Sequence, residues 1–170
     1  MTLHKEALGT LIVTGASRGI GAAVAQLAGE RGYAVAVNFC TAEVEATRVV
    51  HDIVAAGGRA VAIRADVSRE ADILRLFETA ERELGPIKAL VNNAGISGGF
   101  ARVDEVSGAA IATVMAVNVG GTILCSREAV RRMSTRHGGS GGDREHFFAR
   151  SAHRGGGRMG ALCCVEGRDR

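Results

Sequence analysis

Three glycines at fixed spacing, Gly15, Gly19 and Gly21, separate an apolar run, Leu11-Ile12-Val13-Thr14, from a segment with apolar residues at helical intervals between Ile20 and about Arg31. Few folds pass from a strand into a helix through such a turn. Gly15 permits a sharp exit from the strand, Gly19 lets backbone approach a pyrophosphate, and Gly21 allows close packing of helix on strand. The positive end of the helix then faces the phosphates. On spacing alone, a glycine-rich connection in any α/β domain is the competing explanation.

The pattern repeats downstream. Tyr33 to Phe39 reads as a second strand, and a helix over about 42–56 stops at Gly57-Gly58. Ala60 to Ile63 reads as a third strand, with Ser68 placed to cap a helix running to Leu84. After Pro86, Ile87 to Val91 forms a fourth strand, followed by a long helical segment over about 109–137. Strands alternating with helices predict an α/β fold, a Rossmann-type doubly wound parallel sheet truncated after about four βα units. In the order 3-2-1-4, the fourth strand becomes an open edge, and helix faces that later elements would cover stay exposed. Poor solubility is the expected consequence.

The chain has 170 residues, 46% of them hydrophobic, enough for one core. Its net charge of +3 comes from interspersed basic and acidic residues, which argues against a nucleic-acid groove. The four cysteines, Cys40, Cys125, Cys163 and Cys164, lack metal-site spacing and are expected to be reduced. The first residues show no basic-then-apolar leader, and no apolar run approaches the roughly 20 residues of a membrane span. A cytoplasmic protein without membrane or nucleic-acid partners is expected.

A second group of residues narrows the field. The fourth strand runs into Asn92-Asn93-Ala94-Gly95, and the last helix carries Asn118 within Met115-Ala116-Val117-Asn118-Val119. With the TGASRGIG turn and Asp66-Val67, these motifs occur in order at strand ends and in a helix. Over about residues 9 to 142 the chain resembles the short-chain dehydrogenases/reductases, particularly members known as 3-oxoacyl-carrier-protein reductases and glucose 1-dehydrogenases.

That resemblance implies an NAD(P)-dependent oxidoreductase that moves hydride between a nicotinamide dinucleotide and a small carbonyl or alcohol substrate, in a family whose intact members form oligomers. It implies that Ser17, Arg18 and Ile20 line the pyrophosphate turn, Asp66 and Val67 flank the adenine, and Asn92, Ala94 and Gly95 border the cofactor. It also implies that Asn118 helps hold a water in a proton relay. Each residue has a plainer role open to it. Asp66 can start the helix near Ser68, Asn92 and Asn93 can satisfy backbone groups, and Asn118 can be a hydrogen-bonded polar residue.

Cofactor choice rests on the end of the second strand, Asn38-Phe39-Cys40-Thr41, which lacks the carboxylate that commonly holds the ribose hydroxyls of NAD. Arg18 offers a 2′-phosphate a bidentate cation, so NADP is favoured, with Asn38 as a contact residue. Glu43 leaves NAD open.

The family also needs a Ser, a Tyr and a Lys four residues after the Tyr, because a phenol near pKa 10 needs a neighbouring cation to act as a base at neutral pH. The only tyrosine is Tyr33, the only lysines are Lys5 and Lys88, and no YxxxK pattern occurs. Asn118 alone remains of the catalytic set, so the chain is expected to be catalytically incomplete. A non-catalytic NADP(H)-binding or interaction module and a pseudogene product are the alternatives.

Residues 1–142 therefore read as a partial NAD(P)-binding Rossmann domain, and 143–170 as an aberrant, disordered tail without periodicity. A frame break near Gly142 is the favoured account of the tail, with a genuinely divergent tail as the alternative. Read one base later, plausible codons for Gly142 to Ala149 give Ala-Ile-Val-Asn-Ile-Ser-Ser. The same shift over Ala161 to Arg170 gives His-Tyr-Ala-Ala-Ser-Lys-Gly-Ala-Ile-Asp. These strings resemble the family's serine-bearing strand and its YxxxK helix.

Overall fold

The computed structural model describes residues 8–134, 148–151 and 161–166. The strands are β1 (Thr10–Val13), β2 (Ala34–Phe39), β3 (Arg59–Arg64), β4 (Ile87–Asn92), β5 (Phe148–Ser151) and β6 (Ala161–Glu166). The helices are α1 (Gly19–Glu30), α2 (Glu43–Ala55), α3 (Glu70–Leu84), α4 (Gly108–Met115) and α5 (Thr122–Met133), with a π-helical turn, Ala116–Gly121, joining the last two. A 3-10 turn, Val103–Glu105, precedes α4.

The sheet order is β3-β2-β1-β4-β6-β5, and the first four strands are parallel. This is the expected Rossmann-type half. Every residue of β1 and β2 is buried, as befits parallel strands covered on both faces. Alternate residues feed two cores. Leu11, Val13, Val35 and Val37 pack with Ala25, Ala46, Val49 and Ile53 under α1 and α2. Ile12, Ile63 and Leu90 pack with Ile73, Leu76, Phe77, Cys125 and Met133 under α3 and α5.

The open edge expected at β4 is not what the structure shows: β6 runs antiparallel along it, pairing Ala89 with Glu166 and Asn92 with Cys163, and β5 pairs with β6. An apolar strand with a free row of N–H and C=O groups is a template for further pairing. The apolar run Leu162-Cys163-Cys164-Val165 of the tail supplies the partner. The remainder of the tail lies outside the described residues.

Three further expectations are corrected. Ser68 does not cap α3, which begins at Glu70 with Arg69 at its N-cap and no side-chain cap. The long segment over 109–137 is broken by the π turn, and its α-helix closes at Met133. Finally, Gly108–Met133 is a helical stretch of 26 residues whose most apolar window has a mean hydropathy of 1.7, long and apolar enough to cross a membrane by composition. Small residues such as Ala and Gly raise that average without forming an obvious apolar run. The stretch nevertheless belongs to the fold, because Cys125, Ala129 and Met133 of α5 enter the core shared with α3 and β4.

Its first half is less covered. Ile111, Met115, Val119 and Ile123, spaced four apart, are all exposed, in line with the uncovered helix face foreseen above. The second half carries an ionic lattice with no sequence signature. Glu128, 2% exposed, accepts from Arg132 at 2.7 Å and from Arg131 at 2.9 Å, while Arg132 also pairs with Glu81 of α3 at 2.9 Å and lies over the Phe77 ring.

Candidate cofactor site

The glycine turn leaves the C-terminal end of β1, where the strand order reverses between β1 and β4. In open α/β sheets this is where ligands bind. Gly15 and Gly19 have φ of 62° and 59°, a left-handed region that a side chain disfavours. Helix α1 begins at Gly19 with no side-chain cap, so its first N–H groups are left to an outside acceptor.

The three glycines do different work. A β-carbon on Gly15 would lie 2.9 Å from Ala94 Cα, and one on Gly21 would collide with Asn93 Nδ2 and the Gly15 carbonyl. One on Gly19 would meet nothing within 4 Å. Two glycines therefore close the turn against its neighbours, and the third faces open space at the helix start.

Both flanking strands hold the turn in place. From β4, Asn93 Nδ2 donates to the Thr14 and Gly15 carbonyls at 2.9 Å each, and Thr14 Oγ1 accepts from the Asn93 and Ala94 N–H groups at 3.0 Å. From β2, Asn38 Oδ1 accepts from the Gly15 N–H at 3.1 Å, and the Asn38 carbonyl accepts from Ala16 N–H at 2.8 Å. Asn38 Nδ2 donates across to the Ala65 carbonyl at 3.0 Å and the Ile63 carbonyl at 3.3 Å. Asn38 is 2% exposed, and its amide atoms are engaged within the protein.

The other expected residues fall in three places. Ser17 is buried in the turn, while Arg18, Gly19 and Ile20 are exposed on its lip. Asp66 and Val67 follow β3. Asp66 Oδ1 accepts from Ser68 N–H at 2.9 Å and Ser68 Oγ at 2.7 Å, and its own N–H donates to Asp72 Oδ2 at 2.9 Å. That last bond is the main reason the Asp72 carboxyl sits below its ordinary range. Val67 is buried against Gly121 of the π turn, where a β-carbon would lie 2.8 Å from the Val67 carbonyl.

Beyond β4, Ala94 is half-buried and Gly95 exposed. Asn92 turns away, its Nδ2 donating to Ser126 Oγ of α5 at 3.1 Å. Asn118 grips the segment after Gly95: its Oδ1 accepts from Ile96 N–H and its Nδ2 donates to the Ile96 carbonyl, both at 2.9 Å. The Asn118 carbonyl accepts from Thr122 Oγ1 at 2.8 Å. Thr14 is the supporting residue to which the sequence assigned no role, whereas Asn93, expected to satisfy backbone groups, does so here.

A glycine turn at the reversal point of a parallel sheet, opening onto an uncapped helix, defines a dinucleotide-binding protein of the Rossmann class. Residues 9–140 match the family model for short chain dehydrogenase. The chain belongs to that family of oxidoreductases.

Among its relatives, the oxidoreductase YgfF of Escherichia coli is 44% identical over 131 residues, 77% of this chain and 53% of that protein. Glucose 1-dehydrogenase 2 of Bacillus subtilis is 38% identical over 132 residues, 77% of this chain and 51% of that one. A dehydrogenase/reductase from Sinorhizobium meliloti superposes with a TM-score of 0.71 at 42% identity, covering 74% of this chain and 49% of its own. A short chain dehydrogenase from Burkholderia cenocepacia, solved in complex with NADP, gives 0.70 at 34% identity, with coverages of 74% and 51%. The chain spans about half the length of the relatives it matches.

Proposed function

We propose that this chain is the nicotinamide-dinucleotide-binding half of a short-chain oxidoreductase, that it favours NADP(H), and that its 170 residues are catalytically incomplete. The observation that carries the proposal is the open helix start at Gly19, framed by Gly15 and Gly21. These residues fit a pyrophosphate, because unpaired N–H groups and the positive end of α1 meet at a position where no side chain intrudes.

In this assignment Ser17, Arg18 and Ile20 form the rim at the phosphates, Asp66 and Val67 border the adenine, and Ala94 and Gly95 border the cofactor beyond β4. Asn38 and Asn93 hold the turn rigid. NADP is favoured because Asn38 to Ala42 contains no carboxylate and Arg18 makes no ion pair among the described residues. When bound, nicotinamide supplies or accepts the hydride exchanged with a carbonyl or alcohol.

Proton transfer to that substrate needs an acid or base. Tyr33 cannot serve, because it directly precedes β2 and no lysine lies four residues after it. Asn118 orders the Ile96 backbone, which is a positioning role. A soluble, cytoplasmic setting without membrane or nucleic-acid partners accords with the dispersed charge.

Titration of the purified chain with NADPH and NADH tests the proposal. Micromolar NADPH binding without hydride transfer is the expected result. Turnover by the 170-residue chain overturns the incompleteness, and no binding of either dinucleotide overturns the cofactor assignment and leaves the pseudogene alternative.

A further inference from the structure

Arg64, the last residue of β3, is a cation that the known features of the site leave unused. Its Nε donates to the Cys40 carbonyl at 3.2 Å, just past the end of β2. Its two Nη groups have no hydrogen-bond partner among the described residues. In β3, Ala60 and Ala62 pack into the core beneath α1 and α2, whereas Val61 and Ile63 pack into the opposite core. By strand alternation Arg64 continues the Ala60–Ala62 face, the side on which the glycine turn enters α1.

The sheet order completes the geometry. β2 lies between β1 and β3 and pairs Phe39 with Arg64. Arg18 follows β1 and Arg64 ends β3, so the two cations flank the Phe39-Cys40-Thr41 end of β2 from opposite sides. In dinucleotide-binding sheets that end is where the adenosine 2′ position is read, about 20 residues after the glycine turn. The nearby carboxylates are already engaged: Asp66 accepts from Ser68, and Asp72 accepts from Asp66 N–H and pairs with Arg75 at 3.1 Å. Glu43 and Glu45, in the first turn of α2, are further anions on this side.

We propose that Arg64 determines cofactor specificity by holding, together with Arg18, the 2′-phosphate of NADP(H). The inference rests on the cofactor assignment above. The Nε bond to the Cys40 carbonyl fixes the guanidinium plane, leaving its Nη edge for a phosphate that Arg grips with two parallel bonds. NAD(H), which carries a hydroxyl at this position, gains nothing from it.

The test compares wild type, Arg64→Gln and Arg64→Lys by direct binding of NADPH, NADH, 2′,5′-ADP and ADP. Arg64→Gln is expected to weaken NADPH and 2′,5′-ADP by about tenfold or more while leaving NADH and ADP within about twofold, and Arg64→Lys to recover part of the loss. A second readout needs no variant: 2′,5′-ADP should shield Cys40 from alkylation, mapped at its peptide, better than ADP does. Equal losses for NADPH and NADH, unchanged NADPH binding, or equal shielding by the two nucleotides overturns the role of Arg64 while leaving the cofactor assignment standing. Failure of wild type to bind any of the four overturns both.

Discussion

The Nδ2 of Asn93 occupies the space that a β-carbon on Gly21 would need. The amide is held there by the Thr14 and Gly15 carbonyls, so it cannot yield without breaking two 2.9 Å hydrogen bonds. Gly21→Ala is therefore expected to lower stability by roughly 1–3 kcal/mol, the ordinary cost of overpacking a filled site. Chemical denaturation against wild type measures it, and an unchanged midpoint would show that the turn gives way freely.

Asn38 poses a different question, because a carboxylate at the end of the second strand is the usual signature of NAD. Here Asn38→Asp should not install that preference. Its Nδ2 donates to the Ala65 and Ile63 carbonyls, and an aspartate would turn acceptor toward acceptor in a buried position. A loss of about 2–4 kcal/mol is expected, with no gain in NADH affinity. Denaturation and NADH titration of the variant check both parts.

Glu128 should make the α3–α5 contact acid-sensitive. Burial pushes its carboxyl up, but the hydrogen bonds from Arg132 and Arg127 and the charges of Arg132 and Arg131 outweigh that and hold it below the usual range. A depressed native pKa stabilises the fold above the unfolded value, about 4.3, and the gain is lost as pH falls through the native one. Stability of wild type should thus fall more steeply below about pH 4.3 than that of Glu128→Gln. The variant itself should cost roughly 2–3 kcal/mol at neutral pH, less than a wholly buried pair because Arg127 and Arg131 keep solvent contact. Denaturation curves at pH 7 and at a series of values below about pH 4.3 decide it.

The two cysteines with described side chains should react very differently. Cys40 is exposed, whereas Cys125 is buried and its thiol is pushed up to about 12, chiefly by desolvation. Iodoacetamide should label Cys40 in the native state and Cys125 only after unfolding. Burial also raises the Cys40 thiol, with Asp66 adding to it, so its labelling should quicken toward alkaline pH. Peptide mapping across pH reads both effects, and native labelling of Cys125 would mean that α5 opens readily.

Releasing Asn118 should loosen the segment after β4 without unfolding the sheet. Asn118→Ala removes both 2.9 Å bonds to Ile96, worth about 1 kcal/mol each. The Ile96 amide should then exchange with solvent at least about tenfold faster, while amides in β1 keep their protection. Equal acceleration in both would assign Asn118 a global role.

The parts of the fold that periodicity encodes were legible in the chain: four strands, their helices and the glycine turn fall within a few residues of the observed bounds. Interactions between distant residues were not. Asn92 and Asn93 are adjacent and chemically identical, yet one faces Ser126 in α5 and the other secures the glycine turn, a division set by where β4 ends. The π turn leaves no mark in a pattern of apolar spacing, although Gly121 needs its missing side chain against Val67. Asp66 closes a turn with Ser68 ahead of α3 and caps none of the helix N–H groups, so helix periodicity gave no guide to its partner.

The Thr14–Asn93 bonds join residues 79 positions apart. A growing chain can therefore form its first strand, glycine turn and helix long before the strand that locks them exists. Contacts of such sequence separation are slow to form, and only the docking of β4 completes the turn. Affinity for a phosphate ligand should thus appear late and all at once during folding. A dinucleotide added to refolding protein would recognise, and by mass action favour, only molecules whose sheet has already closed.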